Sequence, residues 1–364
     1  MSGSGQPPFA NLRYCVRCCM PETSEGTTFD ELGICRACQS SEQKMRINWV
    51  EREAQLREIL ERAKKSSGNN YDCLVPISGG KDSAFQLHVL VKQYGMKPLA
   101  CTFSHRWFTQ TGQYNLWNIL DKLGVDHVLF SPSRDLVNRI AKKSLYAIGD
   151  PCWHCHAGVG AFPLQAAVKF GIPLIVWGES VAETGNKASY SDGVRFDETY
   201  YQTVSMKVTA RQMADDEITE KDLAPFIFPS REELERVGVR GIFLGDYLFW
   251  DGERQMEFLR QVYDWREDNV EGTYKGYKSV ECRMAGVHDY AKFVKRGFGR
   301  TTDHVSQDVR AGLLTREEGF ELIKKLDPQR PGQLDYYLQI TGLTEQEFMR
   351  VLKSQRTGKA KDLP

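Results

Sequence analysis

Cys73-Leu74-Val75-Pro76-Ile77-Ser78-Gly79-Gly80-Lys81-Asp82-Ser83 passes from a short apolar run, through two glycines, to a lysine, an aspartate and a serine. A helical pattern follows over Ala84 to Tyr94, so the glycines sit between a predicted strand and a predicted helix. Two glycines let the chain turn tightly and present successive N–H groups, which makes a concave anion nest. The helix behind adds its unpaired N-terminal N–H groups and the positive end of its dipole. Lys81 supplies charge, and the Ser78 and Ser83 hydroxyls donate to phosphate oxygens. Asp82 would oppose phosphate directly, so it works through a Mg²⁺ ion or by fixing the loop. The G-x-x-x-x-G-K-[ST] spacing of a Walker A loop is absent.

Working outward, short apolar runs alternate with amphipathic segments. Pro98 to Phe103, His127 to Phe130 and Ile172 to Trp177 read as further strands. Tyr114 to Leu123 and Arg134 to Ala147 read as helices. This rhythm predicts an α/β fold, a doubly wound parallel sheet with its ligand beyond the carboxyl ends of the strands. Met45 to Lys65 reads as a helix ahead of it. Residues 185–228 are polar and weakly periodic, an insertion or long loops. Ser230 with Glu233, Thr315 with Glu318 and Thr344 with Glu347 fit the S/T-x-x-E capping pattern, so the C-terminal region is mostly helical. The predicted division is a flexible leader over 1–10, a zinc ribbon over 11–42, the nucleotide-type α/β domain over 43–228, a mainly helical region over 229–353 and a frayed basic tail over 354–364.

The ribbon assignment rests on cysteine spacing. Cys15-x-x-Cys18 and Cys35-x-x-Cys38 are two knuckles in a stretch too poor in apolar residues to bury a core. Four thiolates suit a tetrahedral, structural Zn²⁺ with no open position for catalysis. Cys19 is a spare thiol. A second cluster, Cys152-Trp153-His154-Cys155-His156, has three readings: a helix start whose side chains pack or line the pocket, a metal or iron–sulfur site, or a substrate contact. Cys282, His154 or His156 would have to complete any metal site there.

Composition narrows the function. The 364 residues carry 48 Lys plus Arg against 48 Asp plus Glu. A formal charge of zero disfavours nucleic acid as a partner. No apolar run reaches the length of a membrane span, and the start lacks a signal peptide's basic and apolar segments. A cytoplasmic location follows, where thiols stay reduced.

Ser-Gly-Gly-Lys-Asp-Ser after a first strand resembles the PP-loop of the ATP pyrophosphatases, an adenine nucleotide alpha hydrolase-like fold. The resemblance implies that ATP is cleaved between its α- and β-phosphates, with Lys81 and Asp82 in the catalytic loop. It also implies that Thr102, Phe103 and Ser104 face adenosine and that Gly178 and Glu179 line the nucleotide's other side. A longer run of features extends the likeness. It comprises Arg13-Tyr14-Cys15-Val16-Arg17-Cys18, Phe29-Asp30, Gly33-x-Cys35, the glycine loop, Cys152 to His156, Trp177-Gly178-Glu179, Gly286-x-His288-Asp289-Tyr290 and Gly297-x-Gly299-Arg300. Together these resemble the N-acetyl sugar amidotransferases of surface-polysaccharide and flagellin-glycan biosynthesis.

That family reading implies a nucleotide-linked acetamido sugar whose acetamido group becomes acetamidino through an O-adenylyl imidate. It implies ATP and Mg²⁺, and ammonia from a separate glutaminase subunit with a barrel-type channelling subunit, similar to the pair in histidine biosynthesis. No glutaminase signature is visible in this chain. Cys152, His154 and His156 are candidate substrate contacts. Arg296, Arg300 and His304 meet the acceptor's phosphates or carboxylate, or else form a solvated basic face. Two rivals remain: a PP-loop tRNA thiolase, with Cys152, Cys155 and Cys282 holding a cluster or sulfur, and a non-catalytic zinc-ribbon scaffold that senses ATP.

Overall fold

A computed structural model describes residues 5–180, 182, 190 and 206–364. Its centre is a sheet of five parallel strands: β1 (Cys73–Pro76), β2 (Pro98–Phe103), β3 (His127–Phe130), β4 (Leu174–Trp177) and β5 (Arg240–Phe243), in spatial order β3-β2-β1-β4-β5. Cys73 pairs with Pro98 on one side of β1, and Leu74 pairs with Ile175 on the other. The chain therefore winds outward in one direction through β2 and β3, then reverses through β4 and β5. The crevice between β1 and β4 is the topological switch point where such sheets bind ligands.

The strands are nearly continuous apolar runs because both faces are covered. Cys73, Val75, Ala100, Leu174 and Val176 pack beneath α2 (Trp49–Ser67), α3 (Lys81–His88) and α4 (Gln110–Leu123). Leu74, Leu99, Cys101, Phe103 and Ile175 turn to the opposite face, against α5 (Arg134–Ile148) and α6 (Trp153–Phe170). The α6–β2 approach is so close that a Cβ added to Gly158 would lie 2.2 Å from the Phe103 ring. Gly158→Ala is expected to cost about 1–3 kcal/mol through overpacking, outweighing alanine's better helix propensity. A denaturation midpoint no lower than that of the native chain would contradict this contact.

The stretch 229–353 is mainly helical, with β5 following α7 (Arg231–Val237) and a long irregular segment between Tyr263 and Ala285. Sequence reading missed β5 because it is a four-residue edge strand containing Arg240 and Gly241, with only Ile242 and Phe243 buried. Beyond it come α8 (Gly252–Tyr263), α9 (Ala285–Arg296), α10 (Arg300–Arg310), α11 (Arg316–Leu326), α12 (Gln333–Thr341) and α13 (Glu345–Ser354). All three capping boxes form, at Ser230, Thr315 and Thr344.

Of the segment read as an insertion, 185–189 and 191–205 lie outside the described residues. Of its described residues, Met206, Met213 and Phe226 lie in the core around α6. The tail is not frayed: Ala360 and Leu363 are buried against Leu12, Tyr14 and Phe320. Arg356 ties it down by donating to the carbonyls of Val294 (3.0 Å) and Pro364 (3.0 Å). The lysines around Ala360 and Leu363 masked these two apolar anchors. Residues of the expected leader also pack, with the Gly5 N–H donating to Glu321 and Phe9 lying beside Phe293. Among the described residues no helix is long and apolar enough to cross a membrane.

Candidate functional site

The turn after β1 lies at the switch point. Gly79 takes a φ of +88°, a region open chiefly to glycine, and a Cβ there would lie 2.4 Å from the Gly112 carbonyl oxygen. The turn is held from all sides. The Ser83 hydroxyl donates to the Gly80 carbonyl (3.0 Å) and accepts from the Ser78 N–H (3.2 Å), while Trp265 Nε1 donates to the Gly79 carbonyl (3.0 Å). Lys81 opens α3, is 2% exposed, and reaches Asp82 Oδ1 at 2.5 Å. Trp250 Nε1 donates to the same oxygen at 3.0 Å. Burial works against the Lys81 ammonium, but Asp82 and Glu179 raise it above the ordinary lysine value. Asp82 is correspondingly lowered: burial opposes its charge, and Lys81 and Lys278 outweigh that. The pair stays ionised.

A cavity of about 660 Å³ opens above this turn, a size usual for cofactor and substrate sites. Ser78, Gly80, Lys81, Asp82 and Ser83 line it, together with Gly178 and Glu179 from the end of β4. Of the three adenosine-facing candidates at the end of β2, Phe103 lines the cavity and Thr102 and Ser104 do not. Side chains alternate along a strand, and it is Cys101, Phe103 and His105 that face inward. Thr102 instead donates to the Ile77 carbonyl at 2.6 Å and meets His127 at 2.9 Å, bracing β1, β2 and β3. The Ser104 hydroxyl accepts from the Arg106 N–H.

Cys152 and His156, at the start of α6, also line the cavity, as do Cys155 and Cys282. His154 does not. It is fully buried edge-on to Trp107 with ring centroids 4.5 Å apart, and burial pushes it down to about 3, so it is a neutral core imidazole. The basic candidates disperse. Arg300 reaches the cavity while paired with Asp289, and Arg296 lies in a separate, smaller cavity. His304 is buried against the Thr273 hydroxyl at 2.7 Å. Neighbours in sequence, they sit on different turns of α9 and α10.

Sequence reading passed over Glu281 and Lys278, which reach the cavity from the segment before α9. A Cβ on Gly80 would lie 3.2 Å from Glu281 Oε2, an oxygen with no hydrogen-bond partner among the described residues. Burial raises its carboxyl. Lys81, Glu179, Tyr277 and Lys278 line both this cavity and a neighbouring one of about 770 Å³ reaching the cysteine knuckles. No local pattern marks Lys278 and Glu281, since Gly80 and Glu281 stand far apart along the chain.

The four N-terminal sulfurs come together as the spacing predicts. Cys15, Cys18, Cys35 and Cys38 are buried with their sulfurs within 4.8 Å of one another. Cys15–Cys38 is 3.8 Å and Cys18–Cys35 is 3.6 Å. A tetrahedron with ~2.3 Å metal–sulfur bonds has edges of about 3.8 Å, so the donor set fits zinc. Hydrogen bonds from Cys18, Cys35 and Cys38 drive the Cys15 thiol down. Arg310 donates to Cys18 Sγ, and Arg316 donates to the Cys15 and Cys18 carbonyls. Cys19 is not a ligand. It packs with Val305 and Phe320, joining the knuckles to α10 and α11.

Residues 271–361 match the family model described as the C-terminal domain of WbpG-like LPS biosynthesis proteins. This segment carries Lys278, Glu281, Cys282 and Arg300. The chain is also similar to the uncharacterized protein MJ1599 of Methanocaldococcus jannaschii, with 21% identity over 297 residues, spanning 81% of this chain and 87% of that protein.

Proposed function

We propose that this chain is an ATP-dependent, AMP-forming amidotransferase of polysaccharide biosynthesis, converting a sugar acetamido group to an acetamidino group. The observation that carries the reading is the glycine turn with its buried, charged Lys81, set at the switch point and facing a cavity of nucleotide size. The match of 271–361 to an LPS biosynthesis domain supports the sugar context.

An amide carbonyl is a poor electrophile but a competent oxygen nucleophile. Its oxygen attacks the ATP α-phosphate, the bond to the β-phosphate breaks, and pyrophosphate departs into the N–H groups of the turn. Lys81 meets the developing charge. Ammonia then adds to the imidate carbon and AMP leaves with the former amide oxygen. No side-chain nucleophile is required. Asp82 and the unpartnered Glu281 oxygen offer the hard donors that magnesium takes, and the ion would neutralise phosphate charge when bound. Ammonia delivered by a glutaminase through a barrel-type subunit avoids the protonated pool in the cytosol.

Incubation with ATP, Mg²⁺, ammonium and nucleotide-linked acetamido sugars is expected to yield AMP, pyrophosphate and a product one mass unit lighter. Release of ADP would overturn the reading. The tRNA thiolase alternative draws on Cys152, Cys155 and Cys282 lining the same cavity. It predicts a brown anaerobic protein and salt-sensitive tRNA binding.

A further inference from the structure

A third, smaller cavity of about 180 Å³ lies where the end of α5, the start of α6 and α9 meet. Lys207, Lys292, Lys295 and Arg296 reach it, against two carboxylates, Glu25 and Asp150. The charges do not cancel within it. Asp150 serves two imidazoles, with Oδ2 at 3.1 Å from His156 Nδ1 and Oδ1 at 3.5 Å from His288 Nδ1. Lys292 is answered by Asp289 at 3.2 Å and by Asp303 at 2.5 Å.

Glu25, reaching over from the cysteine knuckles, contacts Lys207 at 2.9 Å and the Arg296 guanidinium. Burial works to raise its carboxyl, yet Arg296 and Lys207 hold it at about 2. Lys295 is left with no carboxylate within ion-pair distance among the described residues. It is 7% exposed and donates only to the main-chain carbonyls of Ile148 and Gly149, each at 2.9 Å. Burial, then Lys207 and Arg296, push it down to about 8. A buried ammonium beside two further cations marks a place of positive potential that an anion relieves.

We propose that this cavity is an anion subsite: Lys207, Lys295 and Arg296 bind a carboxylate or phosphate group of the acceptor, which replaces the resident Glu25 carboxylate. His156 and His288 line both this cavity and the one above the glycine turn. An acceptor anchored here therefore extends past the imidazoles toward the glycine turn. The link to the acceptor rests on the function proposed above; the subsite itself rests on the charges and the cavity.

Calorimetric binding to the zinc-loaded full chain tests it without turnover. The probes are UDP-N-acetylglucosamine, which offers phosphates alone, and its uronic acid counterpart, which adds a carboxylate. Lys295→Met and Arg296→Met are each expected to weaken binding by about tenfold to a hundredfold while leaving ATP binding unchanged. Lys295→Arg retains most of the affinity, and Glu25→Gln tightens it several-fold. A loss confined to the uronic acid identifies the carboxylate as the anchored group; an equal loss for both probes identifies the phosphates. Wild-type affinity in both Met variants, or no binding of either probe by the native chain, overturns the subsite. Pyrophosphate exchange read separately reports on the chemistry, so failure of one leaves the other standing.

Discussion

Lys81→Ala is expected to lower the rate of the proposed AMP formation by a hundredfold to a thousandfold or more, while leaving the zinc content of the cysteine knuckles unchanged. The size follows from where the charge sits. Removing one preorganised donor from a developing oxyanion costs about 10²–10³ in rate, and this donor is a full cation only 2% exposed. Asp82 and Glu179 keep it protonated despite burial, so it acts throughout the neutral range. The substitution also strands Asp82, which would retain the Trp250 indole at 3.0 Å but lose its counter-ion. Removing one partner of a buried pair is destabilising in its own right. Lys81→Arg separates the two effects, since it keeps the charge while misplacing its donors. It is expected to melt near the native temperature yet remain slow. The measurements are AMP release, zinc content and thermal midpoint; native turnover in Lys81→Ala would mean that the turn does not hold phosphate.

How far this arrangement is legible in sequence depends on whether its cause is local. β1 to β4 are short apolar runs closed by turn residues, and the glycine turn follows directly from Ser78 to Ser83, so both can be read along the chain. β5 carries an arginine and a glycine in four residues and is recognisable only by the neighbour it pairs with, β4. Thr102 and Ser104 show a different limit. Strand position is readable, but which parity faces the cavity depends on packing against α6, where Phe103 fits because Gly158, far along the chain, carries no side chain. The small cavity around Lys295 is the least legible. Its residues come from positions 25, 150, 207 and 295, and single charges at such separations leave no periodic trace. Arg296 reads as one basic residue in a cluster, and the groups that surround it in the cavity, Glu25, Lys207 and Asp150, lie in other parts of the chain.

Cys35→Ser, or removal of zinc by a chelator, is expected to lower the melting temperature of the whole chain by on the order of 10 °C and not merely to free the knuckles. A structural zinc site contributes roughly 10–16 kcal/mol of apparent binding free energy near neutral pH, which is folding free energy when the segment has no other core. Here the core of the knuckles consists largely of the ligands themselves with Met20, Ile34 and Ala37. What spreads the effect is the attachment. Arg316 donates to the carbonyls of Cys15 and Cys18, Arg310 donates to Cys18 Sγ, and Cys19 packs on Phe320. Without the metal, four sulfurs within 4.8 Å must keep their protons or repel one another, and burial beside the Arg310 cation no longer has a matched charge. α10 and α11 then lose the surface on which Val305 and Phe320 are buried, and the buried tail around Leu363 goes with them. Glu25 belongs to the same segment, so zinc loss also withdraws the carboxylate from Lys207 and Arg296. Melting followed together with zinc content reports this directly: a metal-free chain that unfolds at the temperature of the loaded one would show that the knuckles stand apart from the fold.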